Sequence, residues 1–131
     1  MKNTFTRMMT KSVSVFAIAI LAFGAQAKDI SQAELTKQLK SNNKPVVIDV
    51  RTADEFAEGH VPGAINIPHI DMEKRMSEIT NLKDQMIVLY CRSGKRAGVA
   101  KGILVAGGFS KLDHLDGDFN AWSANNMPIE K

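Results

Sequence analysis

The chain has 131 residues, with 17 Lys plus Arg, 14 Asp plus Glu and a single cysteine. This length is enough for one compact domain with one core and too short for two domains of ordinary size. One cysteine excludes an internal disulfide, and the formal charge of +3 gives no indication of a nucleic-acid partner.

The first 27 residues have the composition of a secretory signal peptide. Lys2, Arg7 and Lys11 give a basic start, residues 13–23 are apolar except for one serine, and Ala25-Gln26-Ala27 has the small-x-small form of a cleavage site. The apolar run is shorter than the ~20 residues that a transmembrane helix needs. We therefore expect cleavage after Ala27, a periplasmic location and no stable membrane association of the mature protein.

Removal of this segment changes the charge balance of the predicted domain, residues 28–131. The segment carries three of the 17 basic residues and no acidic residue, so 14 of each remain. The mature protein is then neutral by count, and the local basic cluster at Arg92–Arg96 indicates one bound anion. An unpaired thiol in an exported protein indicates a reactive cysteine or one that pairs with another molecule.

Hydrophobic spacing predicts helices and strands that alternate along residues 28–131. Two helices are marked by capping boxes, Ser31 with Glu34 and Thr52 with Glu55. Alternation of short strands with helices implies a parallel sheet covered on both faces, so the predicted fold class is α/β. The other predicted elements are buried strands at Val46–Val50 and Met86–Tyr90, a short strand at Ala64–Ile67, a helix-like stretch at His69–Ile79 with Ile70, Met76 and Ile79 in phase, a long helix from Ala97, an edge strand at Lys111–Leu115 and a last helix within Gly117–Asn126 with Phe119 and Trp122 inward.

Asp49 is the one polar residue in the strand Val46–Val50. A buried carboxylate is costly unless donors bind it, so we expect hydrogen bonds from Arg51 or from the loop at Cys91. A structural role is predicted for Asp49, and a structural ion pair for Arg51.

Cys91 stands between the strand at Met86–Tyr90 and the helical pattern that begins at Ala97. Residues 91–96 therefore form a short loop that joins a strand to a helix. Ligands of open α/β sheets bind outside the carboxyl ends of the strands, where a helix start also supplies unpaired amides. The sequence thus places its only thiol where a ligand is expected.

The residues around this thiol favour a negative charge. Arg92, Lys95 and Arg96 are cationic, and Gly94 can adopt backbone angles that other residues avoid. Cationic neighbours and a helix start stabilise the thiolate, which is the nucleophilic form of cysteine. We therefore predict that Cys91 is a nucleophile that attacks an anionic substrate.

Several blocks of the sequence together have the pattern of a known family. They are Asp49-Val50-Arg51, the block Glu55–Pro68 (EFAEGHVPGAINIP), the loop Cys91–Arg96 (CRSGKR) and a tail with Gly107-Gly108-Phe109, Leu115, Gly117, Trp122 and Pro128. This pattern resembles the rhodaneses, in the form of the exported, single-domain thiosulfate sulfurtransferases of bacteria.

The resemblance implies a five-stranded parallel sheet with helices on both faces, and a six-residue loop whose amides converge on the cysteine sulfur. It implies that Cys91 takes the outer sulfur of thiosulfate, releases sulfite and passes the persulfide sulfur to cyanide or a thiol. No metal or cofactor is expected. The substrate-binding residues that the resemblance implies are Arg92, Ser93, Gly94, Lys95 and Arg96.

Two positions depart from the pattern of this family, and other functions stay open. Ala97 stands where many relatives have Ser, and Asp118 follows Gly117 where a second Gly is common. A cysteine phosphatase or arsenate reductase would need Arg at the position of Ala97. A persulfide carrier, or a non-catalytic module that binds a partner or senses redox state through Cys91, would need the same loop.

The remaining polar residues receive structural interpretations. The three histidines, His60, His69 and His114, lack the spacing of metal ligands. Glu55 is predicted to be a solvated helix charge.

Overall fold

The computed structural model describes residues 28–131. The predicted signal peptide, residues 1–27, and its cleavage site lie outside the described residues. The strands are β1 (Lys28–Ile30), β2 (Val46–Asp49), β3 (Ile65–Asn66), β4 (Ile87–Tyr90) and β5 (Leu112–Leu115). The α-helices are α1 (Gln32–Leu39), α2 (Ala53–Glu58), α3 (Met72–Arg75), α4 (Lys95–Ala106) and α5 (Asp118–Ala124), and 3₁₀ turns at His69–Asp71 and Met76–Leu82 flank α3.

The five strands form one parallel sheet in the order β1-β5-β4-β2-β3, with β4 at its centre. The prediction of an edge strand at Lys111–Leu115 is wrong, because β5 lies between β1 and β4. Only Leu112 and Leu115 of β5 are buried, and the two polar residues between them are half-buried, so this interior strand has the mixed composition of an edge strand. The outer neighbour that covers it, β1, has three residues and was not predicted.

The sheet carries helices on both faces, as expected for an α/β fold. Successive side chains of β4 enter two different cores, with Ile87 and Leu89 in one and Val88 and Tyr90 in the other. All four are buried, which confirms the prediction that β4 is covered on both sides. Helices α3 and α4 contribute to the first core, and α1 and α5 contribute to the second.

The helix starts follow the predicted caps. The Ser31 hydroxyl accepts a hydrogen bond from the Glu34 amide at 3.1 Å, and Thr52 and Glu55 form a reciprocal capping box. These caps fix where α1 and α2 begin after β1 and β2.

The stretch that follows β3 differs from the single helical pattern predicted at His69–Ile79. It contains 3₁₀ turns on either side of α3, and the tighter 3₁₀ winding shifts which side chains face the core. Met72 and Ile79 are buried, whereas Ile70, which was predicted in phase with them, is 76% exposed. Within residues 28–131, no helix is long and apolar enough to span a bilayer.

Candidate active site

Cys91 follows β4 directly, at the carboxyl end of the central strand. It is 1% exposed and belongs to the core formed with α3 and α4. The Gly94 amide donates a hydrogen bond to Cys91 Sγ at 3.0 Å. Gly94 is the N-cap of α4 and has a φ of 112°, a value that favours glycine. Helix α4 therefore begins at Lys95, inside the stretch predicted as loop, and its amino end faces the thiol.

The start of α5 holds the backbone of Cys91 and its neighbour. The Cys91 amide donates to Asp118 Oδ1 at 3.0 Å, and the Phe119 amide donates to the Cys91 carbonyl at 3.0 Å. The Asn120 amide donates to the Arg92 carbonyl at 3.1 Å. These three hydrogen bonds fix the loop from the side of α5, and sequence reasoning did not foresee them.

Asp118 is a buried carboxylate in an unusual backbone conformation. It is 2% exposed and has a φ of 53°, directly after Gly117 with a φ of 75°. A non-glycine residue with positive φ is uncommon, although Asp tolerates it better than most residues. Besides the Cys91 amide, its Oδ1 accepts a hydrogen bond from His114 Nε2 at 2.9 Å. The departure from the glycine common at this position was the one sequence signal for this contact.

His114 lies between two carboxylates. Its Nδ1 is 3.3 Å from Asp29 Oδ1, on the side away from Asp118. The pKa of His114 is raised above its ordinary value, chiefly by the hydrogen bond with Asp118 and also by Asp29, against the opposing effect of partial burial. The interpretation of His114 as a structural or surface residue therefore missed its position beside the Cys91 loop.

Arg96 is paired with Glu55 across the mouth of the loop. Arg96 Nη1 and Nη2 donate to the two carboxylate oxygens of Glu55 at 2.6 and 3.0 Å. This hydrogen bonding is the main cause that lowers the pKa of Glu55 to about 2, and it also raises the pKa of Arg96. The electrostatic interaction with Cys91 also raises the pKa of Arg96. The prediction that Glu55 is a freely solvated helix charge is wrong.

The other polar loop residues face outward. Arg92, Ser93 and Lys95 are exposed. Within residues 28–131, the side chains of Arg92 and Lys95 have no hydrogen-bond or ion-pair partner, so their charges are available to a ligand. A cleft of about 400 Å³ is lined by Arg92 and by residues that include Arg51, Glu55, Phe119 and Asn120.

Asp49 and Arg51 form the buried ion pair that was predicted. The carboxylate accepts hydrogen bonds from the Arg51 backbone amide at 2.9 Å and from its Nη2 at 2.7 Å. The Cys91 loop, which was the other expected source of a hydrogen bond to Asp49, does not provide one. Instead the hydroxyl of Tyr90, one residue before the loop, donates to Asp49 Oδ2 at 2.7 Å. Burial is the main cause that raises the pKa of Tyr90, followed by the charge of Asp49.

The guanidinium of Arg51 connects this pair to the rest of the site. It donates to the Gly59 carbonyl at 2.7 Å and lies 4.1 Å from the ring centroid of Phe119, the residue that follows Asp118. The ion pair of Asp49 and Arg51 therefore contacts both the end of α2 and the start of α5. Residues 28–131 contain no group of three or more His, Cys, Asp or Glu side chains that could hold a metal ion.

A parallel sheet, a thiol at the end of its central strand and a helix start facing the sulfur define an α/β protein with a buried cysteine at the amino end of a helix. The chain belongs to the rhodanese-like family, whose domain matches residues 31–125. It is 35% identical over 101 residues to a sulfurtransferase of Allochromatium vinosum, with 77% of this chain and 92% of that protein covered.

Two further similarities extend this assignment. The chain is 33% identical over 93 residues to thiosulfate sulfurtransferase 16, chloroplastic, of Arabidopsis thaliana, with 63% of this chain and 78% of that protein covered. It is 26% identical to a rhodanese-like domain protein of Staphylococcus aureus, whose crystal structure superposes with a TM-score of 0.68 over 79% of this chain and 99% of that one. The chain spans about half the length of several other curated relatives it matches.

Proposed function

We propose that this protein is a thiosulfate sulfurtransferase that works through a persulfide on Cys91. The observation that carries the proposal is the Gly94 amide, which lies 3.0 Å from Cys91 Sγ at the amino end of a 12-residue helix. An amide and a helix dipole aimed at sulfur stabilise a thiolate and, after sulfur transfer, the terminal sulfur of a persulfide.

The reaction has two displacements at sulfur. The Cys91 thiolate attacks the outer sulfur of thiosulfate, a new S–S bond forms, and the original S–S bond breaks as sulfite leaves with its electron pair. Cyanide or a thiolate then attacks the outer sulfur of the Cys91 persulfide, and Cys91 leaves as the thiolate. Because every leaving group is already a stable anion, neither step needs a general acid beside the sulfur.

The burial of Cys91 supports a small donor. With only 1% of the residue exposed, the sulfur favours a donor that presents a single projecting atom over a bulky electrophile. Thiosulfate presents its outer sulfur in this way, and its negative oxygens are then left for Arg92 and Lys95 at the exposed rim. The similarity to a relative named as a thiosulfate sulfurtransferase gives further support.

The loop cations are assigned unequal roles. Arg92 and Lys95 attract and hold the donor from the exposed rim. Arg96 interacts electrostatically with Cys91, but its pairing with Glu55 offsets much of its charge. The site is proposed to work in the periplasm after removal of residues 1–27, which cell fractionation and the amino-terminal sequence of the mature protein would test.

The direct test is sulfite release from thiosulfate with cyanide as acceptor, comparing the wild type with Cys91→Ala. Turnover that depends on Cys91 is the expected result. One sulfite per protein without turnover would indicate a carrier that lacks its natural acceptor, and no sulfite from the reduced protein would refute the proposal. Hydrolysis of a phosphate monoester by the same preparation would instead support the phosphatase alternative.

A further inference from the structure

Beneath the loop lies a row of charged side chains that the sulfur-transfer scheme does not use. It runs from Asp29 at the surface through His114 to Asp118, and it ends at the Cys91 amide. The exposure of the side chains falls along this row, from 58% for Asp29 to 24% for His114 and 3% for Asp118. The row thus reaches from solvent to the residue that carries the thiol.

The buried end of this row presents an electrostatic problem for an anion site. Asp118 Oδ2 lies close to Gly94, so close that a Cβ added at Gly94 would be 3.1 Å from it. Gly94 is also the residue whose amide binds Cys91 Sγ. A negative carboxylate at this position opposes both a thiolate and an anionic donor unless another charge compensates it.

His114 supplies that compensation. Carboxylate oxygens only accept hydrogen bonds, so a histidine that faces carboxylates from both ring nitrogens satisfies both when each nitrogen carries a proton, which is the imidazolium form. The 2.9 Å bond to Asp118 is the shorter of the two and fixes the positive ring against the buried carboxylate. Asp118 can then hold the Cys91 amide without adding net negative charge to the loop.

We propose that His114 is a positioning residue that neutralises Asp118, so that the carboxylate can brace the Cys91 backbone inside a site built for anions. The kinetic test, which measures KM for thiosulfate, rests on the proposed function. The chemical test, which measures alkylation of Cys91, rests on the geometry alone. Charged or titratable groups that face His114 are Asp29 from β1, Asp118 at the start of α5, and Lys101 from α4 across a shared cavity of about 210 Å³. Cys91 lies beyond Asp118, which binds its backbone amide.

The first test uses His114→Gln, whose side-chain amide can replace the donor to Asp118 but carries no charge. We expect the KM for thiosulfate to rise about threefold or more below the pKa of His114, with a smaller change in kcat. Because the imidazolium loses its charge as pH rises through this raised pKa, the ratio of variant to wild-type KM should fall toward one at higher pH. His60→Gln, at a histidine whose side chain contacts Phe56 and Glu130, is the matched control and should leave KM unchanged.

A second substitution separates charge compensation from simple structural support. Asp118→Asn keeps an oxygen for the Cys91 amide and removes the negative charge. In the His114→Gln background it should restore KM toward the wild-type value, whereas two purely structural losses would add. A double variant that is worse than either single variant would overturn the proposal.

A chemical measurement keeps this test independent of sulfur transfer. Cys91 is the single cysteine of the chain, so its alkylation by anionic iodoacetate and neutral iodoacetamide can be compared without other thiols. His114→Gln should slow iodoacetate relative to iodoacetamide, and Asp118→Asn should reverse the effect. Unchanged selectivity would refute the role of His114 even if the enzyme is active, whereas the predicted selectivity without sulfite release would refute only the proposed function.

Should His114→Gln fail to fold, the wild-type protein still decides the question. Ring ¹⁵N chemical shifts should show both nitrogens of His114 protonated at neutral pH. A neutral ring under those conditions would leave Asp118 uncompensated and overturn the proposal.

Discussion

Arg96 and Glu55 lie 41 residues apart in sequence, yet two hydrogen bonds of 2.6 and 3.0 Å join them. The pair ties the first turn of α4 to α2 and places a carboxylate beside a cation assigned to the anion site. The side chains are only about one-quarter exposed, at 25% for Arg96 and 26% for Glu55, so the pairing is partly shielded from solvent. Glu55 therefore restrains the charge that Arg96 can offer to a donor.

This relationship predicts opposite effects of two substitutions. Arg96→Gln should raise the KM for thiosulfate several-fold, because a cation near the sulfur is lost. Glu55→Gln should lower KM by roughly threefold, since it frees the charge of Arg96 while keeping a hydrogen-bond acceptor. Steady-state kinetics at fixed ionic strength would measure both effects.

Asp54→Asn is the matched control for Glu55→Gln, since it removes an exposed acid from the first turn of the same helix. It should leave KM unchanged. If Arg96→Gln changed neither KM nor kcat, the role assigned to Arg96 would be wrong.

The buried network around Asp49 predicts a graded loss of stability. Tyr90→Phe removes a hydroxyl that donates to Asp49 and accepts from the Val61 amide, and should cost about 1–3 kcal/mol. Asp49→Ala leaves Arg51, which is 4% exposed, without its counter-charge and should cost about 3–5 kcal/mol. Urea unfolding would measure the free energies of unfolding of both variants.

Glu78→Gln provides the comparison, because it breaks the exposed ion pair with Arg75. It should shift the urea midpoint far less than either change in the network. Equal losses at Glu78 and Asp49 would contradict the assignment of Asp49 and Arg51 as buried structural support.

Substitution of Gly94 should reduce activity more than it reduces the stability of the fold. Gly94→Ala introduces a side chain at a φ of 112° and places its Cβ 3.1 Å from Asp118 Oδ2. The loop must shift to accommodate it, which moves the amide away from Cys91 Sγ. We expect sulfite release to fall by at least about tenfold, a loss of only ~1.4 kcal/mol in transition-state stabilisation.

Gly102→Ala, in the exposed part of α4 where an added Cβ meets nothing within 4 Å, is the control. It should keep full activity and raise stability by about 0.5–1 kcal/mol, since Ala is a better helix former than Gly. An active Gly94→Ala protein would show that the amide contact is dispensable.

The sequence predicted the α/β class, the two-sided burial of β4 and the position of Cys91, because local apolar runs and helix caps carry that information. It missed β1, since three residues become a strand only by pairing with β5, as Lys28 does opposite Asp113. The error at Ile70 has a similar origin, because the change from 3₁₀ to α-helical winding depends on packing against α4.

The candidate site could be predicted only where its residues are adjacent in sequence. The loop residues follow one another in sequence, so their charges were visible without a structure. The Cys91 contact with Asp118 spans 27 residues and depends on the side-by-side placement of β4 and β5. No local sequence pattern predicts such a contact. The one sequence feature related to it was Asp118, an acidic residue where relatives often have glycine.

The central claim is that Cys91 carries sulfur, and the intact mass of the purified protein tests it most directly. The wild type and Cys91→Ala would be reduced, freed of small thiols, treated with thiosulfate and then with cyanide. The account predicts that only the wild type gains the mass of one sulfur atom and that cyanide removes it. No gain by the fully reduced wild type, or an equal gain by Cys91→Ala, would contradict the account.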